Sequence, residues 1–276
     1  MHAASTPDHP SDVAYATIDE LRAALARFPA ATLVDVRRDA AFERDPVVLP
    51  GAIRRRPEDV GAWGPRLESW RPVVVYCVHG HEVSRGAAAA LRAAGFDARP
   101  LAGGLEGWRE SGGTLVPYAP PTRWVTRARP KVDRIACPWL VRRFVDTDAI
   151  IDYVPAAEVL AHAARTGAVP FDVPDVAYSH EGERCSFDAF IRLHGLADPA
   201  LDRLAAIVRG ADTGALALAP EAAGLLAVSL GLSRAIDDDD TMLRHGLLVY
   251  DALYARCRDA AGETHDWRPE RLRAGA

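Results

Sequence analysis

Between residues 13 and 117 the chain alternates short β-branched runs with alanine-rich runs of helical spacing, and few architectures accept that rhythm. Thr32-Leu33-Val34-Asp35-Val36 and Val73-Val74-Val75-Tyr76 read as buried strands, and Ala98-Arg99-Pro100-Leu101 as a third ahead of a glycine turn. Residues 18–28 and 87–94 carry helical spacing; Thr17 with Glu20 three positions on opens the first as a capping box. Strands alternating with helices predict an α/β domain with a parallel sheet covered on both faces. In such sheets the loops at the carboxyl ends of the strands carry the chemistry.

One cysteine stands at such an end. In Tyr76-Cys77-Val78-His79-Gly80-His81-Glu82-Val83-Ser84-Arg85-Gly86, a strand runs straight into a glycine-containing loop, with a helix expected from Gly86 onward. The amides of residues 78–86 and the positive end of that helix would stabilise a thiolate, and Arg85 adds a full positive charge. Cys77 is therefore the expected nucleophile at neutral pH. The competing reading, a buried core cysteine, follows from how often free cysteines are buried. Against it stand the strand-end position and the charged His81-Glu82 that follow Gly80.

The 276 residues, 49% hydrophobic and 26% charged, suit a globular protein of two domains. No run of about 18 apolar residues predicts a membrane span. Residues 1–19 lack the basic-then-apolar pattern of a secretory leader, so a cytoplasmic location is expected. Cys77, Cys137, Cys185 and Cys257 are too widely spaced for a small disulfide framework. The net charge of −5 argues against nucleic acid as a partner. Residues 118–130, with Ala119-Pro120-Pro121-Thr122 and scattered arginines, read as a linker. Residues 131–262 then read as a mainly α domain, with helical runs at 138–146, 156–165, 186–194, 199–209, 220–230 and 239–258. A small strand component is expected at 150–154 and 176–178.

Leu33-Val34-Asp35-Val36-Arg37, Pro50-Gly51-Ala52-Ile53 and Gly103-Gly104-Leu105-Glu106-Gly107-Trp108, in this order around the Cys77 loop, resemble a rhodanese domain over about residues 15–113. The resemblance implies a sulfurtransferase in which Cys77 takes sulfur from a thiosulfate-like donor as a persulfide and passes it to a thiol acceptor, with no cofactor required. It implies substrate binding by Val78, His79, Gly80, His81, Glu82, Val83, Ser84 and Arg85, and loop bracing by Asp35 and Arg37. The loop is about one residue longer than common short forms, which leaves donor size open. Phosphatases of related fold carry arginine six positions after the cysteine; Val83 stands there, which disfavours a phosphate-ester hydrolase. Trp63, Trp70 and Trp108 are expected in packing roles.

A second resemblance rests on Lys131-Val132-Asp133-Arg134-Ile135-Ala136-Cys137-Pro138-Trp139-Leu140, Ser179-His180-Glu181-Gly182-Glu183-Arg184-Cys185-Ser186-Phe187 and Arg209-Gly210-Ala211-Asp212. These blocks are similar to the C-terminal domain of the ChrB chromate-resistance family and imply a link to chromate or oxidative-stress response. In ChrB regulators a DNA-binding part precedes this domain, and here the rhodanese-like half takes that place. The basic residues Arg123, Arg127, Arg129, Lys131, Arg134, Arg142 and Arg143 fit either an oxyanion such as chromate, or DNA phosphates, or a solvated face. His180, Cys185, Asp188, Asp212 and His245 are candidate ligands for zinc or iron, although no two show a tight ligand spacing. For His245 the alternative is a helix histidine packed among Met242, Leu248 and Val249. Asp237 to Asp240 read as a helix start, and Cys137 and Cys257 as buried, with Cys137 also an alternative acceptor thiol. The expectation is a sulfurtransferase tied to chromate response; the alternative is a non-catalytic oxyanion- or metal-binding sensor or scaffold.

Overall fold

The structure, a computed structural model, describes residues 14–263. The leader reading above falls largely on residues 1–13, outside the described residues. The chain forms two compact units. The first takes the residues up to Ala128 together with Cys137–Val173; the second takes Arg129–Ala136 and the chain from Pro174 on.

In chain order the first unit opens with α1 (Ile18–Ala26), β1 (Thr32–Asp35), α2 (Asp39–Arg44), β2 (Val47–Val48), β3 (Ile53–Arg54), α3 (Val60–Trp63) and β4 (Val73–Tyr76). It continues through α4 (Glu82–Ala93), β5 (Ala98–Pro100), α5 (Gly104–Glu110), β6 (Val116–Pro117) and β7 (Arg123–Arg127). A four-stranded parallel sheet runs β3-β1-β4-β5, and β2 pairs with β6 antiparallel. Strand side chains alternate between faces, so one short run fills two cores. Val34, Val73 and Val75 pack with Ala87, Ala88 and Leu91 of α4, while Leu33, Val74 and Tyr76 pack with Leu21 of α1 and Leu105 and Trp108 of α5. Each such aliphatic side chain contributes about 1.5–3 kcal/mol on burial. Thr17 and Glu20 close the expected capping box on α1, with Glu20 N–H donating to Thr17 Oγ1 at 3.1 Å.

Residues 118–130, expected as a linker, contain β7, the central strand of a second parallel sheet of order β8-β7-β9. Trp124, Val125 and Thr126 are buried. Their strand character is masked in the sequence by Arg123 and Arg127, which spend their charge on Asp152 at 2.7 Å and Asp172 at 2.8 Å. After β7 come α6 (Asp133–Leu140), β8 (Ile150–Val154), α7 (Val159–Thr166) and β9 (Val169–Pro170). The helix expected from residue 138 begins at Asp133 and carries Pro138 inside it, then passes into a π-type turn over Val141–Val145. The strand expected at 176–178 does not form; Asp172 at φ +52° and Asp175 at φ +61° turn the backbone out of the extended region before it.

The remaining helices are α8 (Ser186–Leu193), α9 (Pro199–Thr213), α10 (Ala222–Ala235) and α11 (Asp239–Asp259). The acidic run is a helix start: Asp238 caps α11 by accepting the Thr241 N–H at 2.8 Å, and this bonding holds its carboxyl below the ordinary range. Asp239 accepts the Arg129 N–H at 3.1 Å. Among the described residues no helix is long and apolar enough to cross a membrane.

Candidate functional site

Cys77 follows β4 directly and is 6% exposed. Its Sγ lies 3.3 Å from the Ser84 hydroxyl, which in turn reaches the His81 carbonyl at 3.2 Å. The helix behind this loop starts at Glu82, four residues earlier than expected. His81 takes the cap position and its carbonyl accepts the Arg85 N–H at 3.0 Å. Arg85 and Gly86 are therefore helical, and the cradle is shorter than residues 78–86: the amides of its helical part are those of Glu82, Val83 and Ser84, the unbonded first turn of α4. The side chain of His81 makes no cap hydrogen bond to α4. Ser84 is fully buried against the sulfur, Val78, Val83 and Arg85 are half-buried, and His79, His81 and Glu82 are exposed, with the two histidine rings 5.8 Å apart. Burial with Val34, Val75 and Ala87 would suit a core cysteine equally; the Ser84 contact and the helix start behind it are what a core position does not need.

The loop is held from behind by the first turn of α5. Leu105 N–H donates to Cys77 O at 2.9 Å, and Glu106 N–H to Val78 O at 3.0 Å. Only glycine fits at the junction. Gly104 has φ +59°, and a Cβ there would press on Cys77 O, stand 2.5 Å from Gly80 N and 2.8 Å from Val78 O. Gly80, at φ +74°, would drive a Cβ into Leu101 O. This clamp was not assigned from the sequence, although Gly103-Gly104 was visible in it.

Asp35 and Arg37 form a buried pair at 2.5 Å, with side chains 0% and 1% exposed. Arg37 also donates to Asp45 O at 2.9 Å and Val47 O at 2.7 Å, and Arg37 N–H donates to Asp35 Oδ1 at 2.9 Å. The pair thus ties the end of β1 to the 45–47 segment and does not reach the sulfur through any of these bonds. Beside it Tyr76 accepts the Leu49 N–H at 3.2 Å; burial, then the Asp35 charge, pushes the phenol well above its ordinary range. Trp63 and Trp108 are core residues whose indole N–H groups donate to Arg56 O and Thr114 O.

Within the second unit the candidate ligands separate. His180 and Asp212 meet at 3.1 Å, joined by Asp133, which the sequence reading left out. His180 Nε2 is 3.7 Å from Asp133 Oδ2, and one ligand atom from each of the three lies within 4.8 Å of the others. Asp133 is fully buried and its Oδ2 accepts the Ser186 N–H at 2.6 Å. A two-residue turn sets His180 in place: Glu181 and Arg184 exchange both backbone hydrogen bonds around Gly182, at φ +61°. Asp188 is engaged elsewhere, accepting from Arg209 at 2.6 and 2.9 Å and from the Cys185 N–H at 3.0 Å. Cys185 is fully buried; burial, then the charges of Asp133 and Asp188, pushes its thiol far up. His245 lies exposed on α11 and outside the cluster, its neighbours Met242 buried and Leu248 exposed. Cys137 and Cys257 are buried. Of the basic residues, Arg143 meets Glu68 at 2.6 Å, and Arg142 is bonded to Ala149 O, its pKa lowered by burial. With Arg123, Arg127 and Arg129 also bonded to carboxylates, the run is largely spent on internal pairing.

The first unit sets a cysteine between a strand end and a helix start of a parallel sheet, and residues 17–111 match the family described as Rhodanese-like domain. Residues 124–257 match the family described as ChrB, C-terminal domain, so the chain joins the two. Over 145 residues it is 33% identical to Protein ChrB of Cupriavidus metallidurans, covering 50% of this chain and 43% of that protein. The chain therefore spans less than half the length of this curated relative. Among solved structures, a rhodanese-related protein from Thermoplasma volcanium is 22% identical over 37% of this chain and 96% of its own, with a TM-score of 0.33. A rhodanese-like domain protein from Staphylococcus aureus is 25% identical over 37% and 96%, with a TM-score of 0.32.

Proposed function

We propose that the first unit is a sulfurtransferase with Cys77 as its nucleophile, acting in chromate or oxidative-stress response. The observation that carries this reading is the position of Cys77 Sγ, 3.3 Å from Ser84 Oγ in the first turn of α4, beneath a helix start whose cap residue, His81, makes no side-chain cap bond. Thiolate attack on the outer sulfur of thiosulfate forms the Cys77 S–S bond and breaks the donor's S–S bond. The bonding pair leaves with sulfite, and the persulfide keeps one negative charge. An acceptor thiolate then attacks the outer persulfide sulfur, leaves as its own persulfide, and returns Cys77 as thiolate. Amides in the first turn of α4 hold the departing anion, and Arg85 adds positive charge on the same turn. The narrow access at 6% exposure favours small donors.

The match of residues 124–257 supports the stress-response context. The rival reading, a non-catalytic oxyanion- or metal-binding sensor or scaffold, draws on the Asp133, His180 and Asp212 cluster. Thiocyanate release from thiosulfate and cyanide separates the two, with Cys77→Ser as control and mass spectrometry for one added sulfur atom. Turnover that Cys77→Ser abolishes supports the transferase. Absence of any Cys77-dependent turnover or sulfur adduct, together with chromate-dependent thermal stabilisation, supports the sensor and overturns the first reading.

A further inference from the structure

We propose that Asp133, His180 and Asp212 form a mononuclear site for a divalent first-row metal ion, with coordination positions left open to solvent. The inference is independent of sulfur transfer at Cys77, since all three residues belong to the second unit. They come from three separate segments: the first residue of α6, the strand-less loop before the Gly182 turn, and the last turn of α9.

The spacing is that of a coordination polyhedron. With ligand bonds of about 2.1 Å, neighbouring donors stand about 3.0 Å apart in an octahedron and about 3.4 Å apart in a tetrahedron. His180 Nε2 stands 3.1 Å from Asp212 Oδ2 and 3.7 Å from Asp133 Oδ2. One ligand atom from each of the three residues lies within 4.8 Å of the other two, with Asp133 fully buried and Asp212 partly exposed.

Electrostatics favour a cation. Two carboxylates face one imidazole, one of them fully buried, and Asp212 lies in the last turn of the fifteen-residue α9, where the carbonyl end of the helix is negative. Asp133 is fixed in orientation. Its carboxylate is anchored on the first N–H of α8, and the preceding Val132 is held at φ +38° by Ser229 Oγ on its N–H and Tyr250 OH on its carbonyl, at 3.0 and 2.9 Å. A β-branched residue at positive φ is costly, and it is kept where it aims Asp133 at His180. Carboxylate and imidazole donors without a thiolate suit Zn²⁺, Mn²⁺ or Fe²⁺. Three protein donors leave at least one position for water or an anion, and His180, 42% exposed, places that position at the surface.

The test is calorimetric titration of the chelator-stripped full chain with Zn²⁺ and with Mn²⁺, and with Fe²⁺ under anaerobic conditions. One equivalent should bind, and His180→Ala and Asp212→Asn should each weaken binding at least tenfold while His245→Ala leaves it unchanged. Asp133→Asn removes a buried anchor, so its folding is checked by circular dichroism, and His180→Ala and Asp212→Asn decide the case independently. Binding of none of the three ions, or affinities that His180→Ala and Asp212→Asn leave unchanged, would overturn the assignment.

Discussion

Gly104→Ala separates a backbone clash from a backbone strain. Any L residue at φ +59° costs about 1–2 kcal/mol. The new methyl would also fall against Cys77 O, Gly80 N at 2.5 Å and Val78 O at 2.8 Å, all backbone atoms that no rotamer change can remove. Forcing the loop aside adds about 1–3 kcal/mol, so the total is about 2–5 kcal/mol. Gly112 supplies the control. It has φ +75° with nothing within 4 Å of a Cβ, so Gly112→Ala carries the strain alone, about 1–2 kcal/mol. At about 2–4 °C per kcal/mol for a unit of this size, the first-unit transition should fall by about 4–20 °C in Gly104→Ala and by about 2–8 °C in Gly112→Ala, the first always the larger. Because the displaced atoms carry Cys77, sulfur-transfer turnover should drop about a hundredfold in the first variant and stay level in the second. Equal thermal losses, or a Gly104→Ala protein with undiminished turnover, would refute the clamp.

Ser84→Ala should slow persulfide formation about tenfold in single-turnover measurements, the scale of one lost hydrogen bond to a charged sulfur, with little loss of stability. Arg37→Met leaves the Asp35 carboxylate buried without its guanidinium, and urea unfolding should show a loss of about 3–5 kcal/mol. His194 packs beside Tyr178 and Phe190, and burial lowers its pKa below 6.5. The folded state thus favours the neutral ring: its contribution is intact above pH 6.5 and is lost as pH falls through the lower folded value. Thermal melts of the second unit should lose stability in that acid window, and His194→Gln should flatten the slope; an unchanged slope would discard His194 as its source.

The α/β character of the first unit was legible because its strands are short, β-branched and buried on both faces, signals that are local in the chain. Cys77 was legible for the same reason, as a strand end followed by glycine. The start of α4 was harder to read. Gly86 suggested a later start, yet the His81 carbonyl already accepts the Arg85 N–H, and a helix tolerates one interior glycine at about 1 kcal/mol. β7 was hidden because arginines flank Trp124-Val125-Thr126, and the acids that neutralise them, Asp152 and Asp172, lie far along the chain.

The metal candidates show the same division. Each of the three quoted blocks of the second half holds one member of the cluster, but the candidate ligands read from the sequence were His180, Cys185, Asp188, Asp212 and His245, without Asp133. Folding sends Asp188 to Arg209, buries the Cys185 thiol, leaves His245 outside the cluster, and adds Asp133 to His180 and Asp212. Chain periodicity and turn residues alone determined the α/β character of the first unit and the place of Cys77 at a strand end, because hydrophobic burial and glycine conformations act over a few residues. Which charges neutralise one another, and which three side chains share a site, was decided only by tertiary packing, because those partners are separated by dozens of residues and become neighbours only once the helices are in place.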